Sequence, residues 1–119
     1  VDPTYRWTGI RAFHQQGPVW VIELAGEFDY SILNDVAEAT AEALRAHTGP
    51  LVYDMGELTF CDSALLNHLL WVKRQRRVML TRVPQQTRRL LELTGTSDYL
   101  EAHKDVGEAV QAVGPLSDH

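Results

Sequence analysis

A chain of 119 residues, 45% hydrophobic and 23% charged, suits one domain burying roughly two-thirds of its unfolded surface. Its net charge of −5 speaks against nonspecific nucleic-acid binding, and its single cysteine, Cys61, excludes an internal disulfide and fits a reducing compartment. No apolar run approaches the roughly 20 residues of a membrane span and no signal-peptide pattern opens the chain, so a cytoplasmic domain without membrane insertion is expected.

Residues 1–8 read as a lead-in, 9–114 as a single domain and 115–119 as a tail. Ile10–Gln15 alternates weakly, as an edge strand does, and Gln16-Gly17-Pro18 turns it into the stronger strand Val19–Leu24, which predicts a hairpin. Ala25-Gly26-Glu27-Phe28-Asp29 follows, with Asp29 placed as a helix cap or turn residue. A helix is predicted from Ser31 to His47. Ile32, Leu33, Val36, Ala37, Ala43 and Leu44 share one side, and Gly49-Pro50 stops it.

The run Leu51-Val52-Tyr53, closing at Asp54-Met55-Gly56, reads as a strand buried on both faces. Glu57-Leu58-Thr59 reads as a short polar turn. Phe60-Cys61-Asp62-Ser63 then leads into a helix carrying Leu65, Leu66, Leu69, Leu70 and Val72 and ending near Arg76 or Arg77. Asp62 and Ser63 both suit the N-cap or first turn, where side-chain oxygens accept from unpaired N–H groups. Asp54 is expected to be structural, its buried carboxylate bonded to N–H groups of the helix-start loop. Lys73-Arg74-Gln75-Arg76-Arg77 is the only basic block. At a helix C-terminus it complements the macrodipole; nucleic-acid contact is the alternative, without interleaved aromatics to support it.

Val78-Met79-Leu80 predicts a short buried strand. Pro84 fits the first turn of a further helix with Leu90 and Leu91 inward and Gly95 as C-cap. Tyr99–His103 is placed as a last short strand. Asp105 with Glu108 forms a capping-box pattern ahead of the stripe Val106, Ala109, Val110 and Val113. Strands alternating with helices after a hairpin predict an α/β fold: a mixed sheet of four to five strands, about four helices and right-handed crossovers.

No catalytic constellation emerges. Ser63 lacks the Gly-x-Ser-x-Gly elbow, and His68, five residues on, points elsewhere on the helical wheel. Cys61 beside a helix start reads as packing, with a distant histidine partner the alternative. His14, His47, His68, His103 and His119 show no metal spacing, and no glycine-rich phosphate loop exists. Neither catalysis nor a cofactor is expected. The helix after Ser63 is more informative. Its leucines and Val72 form the inward arc, leaving Ser63, Asn67, Trp71, Ala64 and His68 outside it, with Trp71 in line with Ala64 and His68. An exposed tryptophan suits a binding surface; packing under a neighbouring helix or the tail is the alternative.

Three segments carry a resemblance. Asp54 with Phe60-Cys61-Asp62-Ser63-Ala64-Leu65-Leu66 resembles the central motif of STAS domains, the anti-sigma factor antagonist family. Gly26-Glu27-Phe28-Asp29 is similar to the family's Gly-Glu-Leu-Asp, and Val83-Pro84 through Leu93-Thr94-Gly95 to its Pro-led helix ending in Thr-Gly. Leu65 and Asn67 depart from the pattern, standing where many members carry glycine.

The resemblance implies helices packed mainly on one face, Gly26 in a structural role, and Ser63 as the serine phosphorylated by a partner kinase. Asp29 would lie near Ser63 on the partner side. It implies a phosphorylation-switched adaptor, monomeric or weakly dimeric, that binds an anti-sigma factor serine kinase through Asp29, Asp62, Ser63, Ala64, Asn67, His68 and Trp71. A sigma factor is thereby released, and ATP is bound by the partner. The rival expectations are a STAS domain of a sulfate or phospholipid transporter, and a small-molecule sensor or enzyme.

Overall fold

The computed structural model describes residues 9–27 and 30–114, without the side chains of 27, 30–32 and 60. Five strands and four helices alternate after an opening hairpin: β1 (Ile10–Gln16), β2 (Val19–Glu27), α1 (Tyr30–Ala46), β3 (Leu51–Phe60), α2 (Ser63–Lys73), β4 (Val78–Thr81), α3 (Gln85–Leu93), β5 (Glu101–His103) and α4 (Val106–Val113). The strands lie in the sheet in chain order. β1 runs antiparallel to β2, and each later neighbour is parallel.

Parallel neighbours need crossovers, and successive right-handed crossovers in one direction put their helices on one face. Ile22, Leu24, Leu51, Tyr53, Met55, Val78 and Leu80 accordingly form one core with residues of α1, α2 and α3. Their alternate neighbours Val21, Val52 and Met79 form a smaller core on the other face, under Ala109, Val106, Val110 and Val113 of α4. Three helices therefore cover one face and α4 the other. This double cover explains why Leu51-Val52-Tyr53 carries no polar alternation.

Several boundaries differ from expectation. The segment Glu57-Leu58-Thr59 is strand, not turn: β3 continues to Phe60 because β2 still offers a paired edge at Ala25 and Gly26, and Leu58 is buried. The extra residues are absorbed as register shifts opposite Glu23–Ala25 and Gly26–Glu27. Gly26 has φ +80°, a left-handed conformation that glycine adopts without strain, and the space around it is open. In α1 Leu33, Val36, Ala43 and Leu44 face inward as expected, joined by Ala39 and Thr40, while Ala37 is exposed. α2 stops at Lys73, with a turn through Arg76, and β5 begins at Glu101, leaving Tyr99 exposed before it.

Candidate functional site

The β3–α2 junction presents a hydroxyl at a capped helix start. Asp62 is the N-cap, in extended conformation, and its Oδ1 accepts from Leu65 N at 3.2 Å. Ser63 is the first helical residue and is exposed. Among the described residues the backbone N–H groups of Ser63 and Ala64 have no acceptor. They are the orphan donors of a helix N-terminus, beside the Ser63 side chain. Cys61 is half-buried, its Sγ 3.6 Å from the Asp62 carbonyl. Burial, then the Asp62 charge, push its thiol up to about 12, so it is protonated near neutrality and a poor nucleophile.

The rest of α2 sorts its side chains by the helical wheel. Leu65, Leu66, Leu69 and Val72 are buried in the main core. Ser63, Asn67 and Trp71 are exposed at i, i+4 and i+8, which places them on one ridge. Trp71 is 54% exposed, so the packing alternative does not hold among the described residues. Ala64 and His68 lie lower. The His68 Nε2 is 3.2 Å from the Thr40 Oγ1 of α1, and Thr40 in turn shares a 2.5 Å hydrogen bond with the buried Tyr53 hydroxyl. Trp71 stacks on the His68 ring at 6.1 Å between centroids. His68 is thus a link between helices rather than a freely solvated side chain, and burial lowers its pKa. Asp29 lies outside the described residues.

Asp54 has different partners from those expected. Its carboxylate, 6% exposed by residue, accepts from Gly56 N at 3.2 Å and from both Nε and Nη2 of Arg82, at 2.9 and 3.1 Å. Arg82 also reaches Glu23 at 3.4 Å. The helix-start loop is not involved, because Asp54 faces the α4 side of the sheet while α2 packs on the other. Arg82 holds φ +48°, and its guanidinium lies where a side chain on Gly56 would be, so Gly56 and the ion pair require one another. Two residues of the basic block, Arg76 and Arg77, are equally structural. Arg76 donates to the carbonyls of His47 (2.8 Å), Gly49 (2.9 Å) and Leu44 (3.3 Å), closing the end of α1, and Arg77 forks onto Glu101 at 2.9 and 2.7 Å. Lys73 in the last turn of α2 and Arg74 at its C-cap complement the macrodipole of α2, and Arg76 does the same for the end of α1.

The sequence matches the family described as "Mlab, STAS domain" over residues 12–102. The chain belongs to the STAS family. No curated protein sequence matches it. Among solved structures, this STAS domain is similar to an anti-sigma factor antagonist from Mycobacterium paratuberculosis. That match has 21% identity and a TM-score of 0.78 over 86% of this chain and 91% of the other. It is also similar to the anti-sigma factor antagonist SpoIIAA in its unphosphorylated form, with 19% identity and a TM-score of 0.68 over 89% and 100% of the two chains. The phosphorylated form of SpoIIAA, a Bacillus cell fate determinant, gives 20% identity and a TM-score of 0.63 over 86% and 99%. These likenesses establish the STAS fold. Among the described residues, no helix of this domain is long and apolar enough to cross a membrane, and no group of His, Cys, Asp or Glu side chains could hold a metal ion.

Proposed function

We propose that this STAS domain is a phosphorylation-switched anti-sigma factor antagonist. It binds a serine-kinase anti-sigma factor in the cytoplasm and so frees a sigma factor for transcription. The observation that carries the reading is the continuous exposed ridge from the Ser63 hydroxyl through Asn67 to Trp71, at the capped start of α2. The occurrence of the structurally similar SpoIIAA in phosphorylated and unphosphorylated forms supports it. In this reading the domain is a monomer or weak homodimer, is substrate and ligand rather than enzyme, and leaves ATP to its partner. Asp62, Ala64 and His68 flank the ridge, and Asp29 is assigned to the same partner surface only by its likeness to the family's Gly-Glu-Leu-Asp.

A phosphate on Ser63 adds about −1.5 to −2 charges at neutral pH. At the start of α2 that charge meets free N–H groups and the positive end of the helix, so the helix persists. The cost falls on docking: the phosphate lies beside Asp62 and must be desolvated against the partner. Incubation with the cognate kinase and ATP, mass spectrometry and a binding titration test this. Ser63→Ala binds constitutively, and Ser63→Asp binds weakly with unchanged helix content. Phosphate on another residue, such as Thr59 or Ser97, or undiminished binding by the Ser63 phosphoprotein, overturns the switch. Recovery of a transport ATPase or permease instead of a kinase from native extract would replace the reading with the transport-associated one.

A further inference from the structure

The loops that leave β4 and β5 part company. The chain leaves β4 through Arg82 and Val83 to reach α3 in the three-helix layer, and leaves β5 through Lys104 to reach α4 on the opposite face. Two adjacent parallel strands whose outgoing connections diverge to opposite faces open a crevice at their carboxyl ends, the place where open α/β sheets take ligands. Such a crevice of about 440 Å³ exists here, walled by Arg82, Val83 and Arg88 on one side and His103, Lys104 and Glu108 on the other. It lies on different elements from the Ser63 ridge.

Its charge runs against that of the chain, which is −5 overall. The Arg82 charge is balanced from behind by Asp54 and Glu23 through Nε and Nη2, and its Nη1 makes no hydrogen bond among the described residues. Glu108 is the carboxylate of the wall, and its Oε1 is already engaged by Lys104 N at 2.8 Å and His103 Nδ1 at 3.4 Å. His103 Nε2 is held at 2.7 Å by Glu101, which is itself forked by Arg77. The side chains of Arg88 and Lys104 are exposed and have no partner among the described residues. The Arg88 and Lys104 cations, on opposite walls, therefore outnumber the one lining carboxylate, Glu108, and Arg82 Nη1 adds a spare guanidinium donor between the loops. Guanidinium and ammonium groups so placed match the charge and oxygen geometry of a phosphoryl group better than a carboxylate.

We propose that the β4–α3/β5–α4 crevice is a binding site for a small phosphate-bearing anion, with Arg88 and Lys104 as the main contacts and Arg82 as a positioned donor. The site is independent of the phosphorylation reading of Ser63. The test is titration of the whole domain with inorganic phosphate, pyrophosphate and, as a control at matched ionic strength, acetate. Amide chemical shifts and calorimetry provide the readout. Pyrophosphate is expected to produce saturable shifts at Val83, Arg88 and His103–Asp105 and none at Ser63–Asn67. Phosphate binds more weakly at the same amides, and acetate does not saturate. The double variant Arg88→Gln/Lys104→Gln, which alters only exposed side chains, weakens pyrophosphate by about tenfold or more while keeping the wild-type spectrum elsewhere. Absence of saturation, shifts centred on the α2 start, equal binding of acetate, or unaltered affinity in the double variant each overturns the proposal.

Discussion

Two side chains decide between structure and contact at the scale of single residues. Asp54 is nearly buried and forked by Arg82, and replacing it by alanine strands a guanidinium and the Gly56 N–H. Asp54→Ala is expected to cost about 2 kcal/mol, below the full penalty for a buried pair because Arg82 remains partly in water. Chemical denaturation measures this, and an unchanged midpoint would make Asp54 a contact residue instead. Trp71 is the opposite case. Half exposed, it contributes little to the core, so Trp71→Ala should shift stability by under about 1 kcal/mol yet weaken the partner by about 2 kcal/mol or more. Melts and titrations of the same variant separate the two, and a large stability loss would sink the contact role. The site was legible in sequence where it was local: Asp62, Ser63, Asn67 and Trp71 follow from cap chemistry and the wheel. Asp54's true partner and Thr40's place between Tyr53 and His68 were not, because those bonds join residues 13 to 28 positions apart.

Among the elements, those read most closely were the ones whose packing is written in their own periodicity. The α4 stripe of Val106, Ala109, Val110 and Val113 packs as read, and Asp105 accepts from Glu108 N at 2.8 Å as the box requires. Its other half differs by one residue, since the Glu108 carboxylate takes Lys104 N. Local sequence cuts β3 short because Gly56-Glu57 imitates a turn, whereas its extension is dictated by the paired edge of β2, which local sequence does not show. The basic block is the clearest case of a tertiary role hidden in composition. Arg76 closes α1 through three carbonyls 27 to 32 positions away, while Arg74, in the same block, is exposed. Arg76→Ala should therefore lower stability by about 2 kcal/mol, in line with charge-assisted bonds to carbonyls, and Arg74→Ala by only a few tenths. Equal small losses in thermal melts of the two variants would return the block to a solvated helix end.

For the molecule as a whole, acid should act in two stages at two places, first over the central strand β3 and then at the β5 edge. His68, between α1 and α2 beside Thr40 and Trp71, has its pKa lowered by burial, so below the ordinary value of 6.5 the unfolded chain takes up a proton that the folded chain resists. Its contribution is present at neutral pH and is lost as pH falls below about 6.5. Glu101, on β5, is held down to about 2 chiefly by its hydrogen bonds from Arg77, from an ordinary value of 4.5. A depressed carboxylate stabilises the fold above its unfolded value, so the Arg77–Glu101 clasp on the β4–β5 edge is lost only as pH falls from about 4.5 toward 2. The α1–α2 contact should therefore loosen before the β5 edge does. Thermal melts at pH 7.5, 5.5 and 3 in wild type, His68→Gln and Glu101→Gln resolve the two windows. His68→Gln should flatten the drop between pH 7.5 and 5.5 and leave the lower one, and Glu101→Gln should do the reverse. Amide exchange should place the first loss in α1 and α2 and the second in β5. A first drop that persists in His68→Gln, or protection lost in α1, α2 and β5 together, would show that the domain titrates as one unit rather than in these two steps.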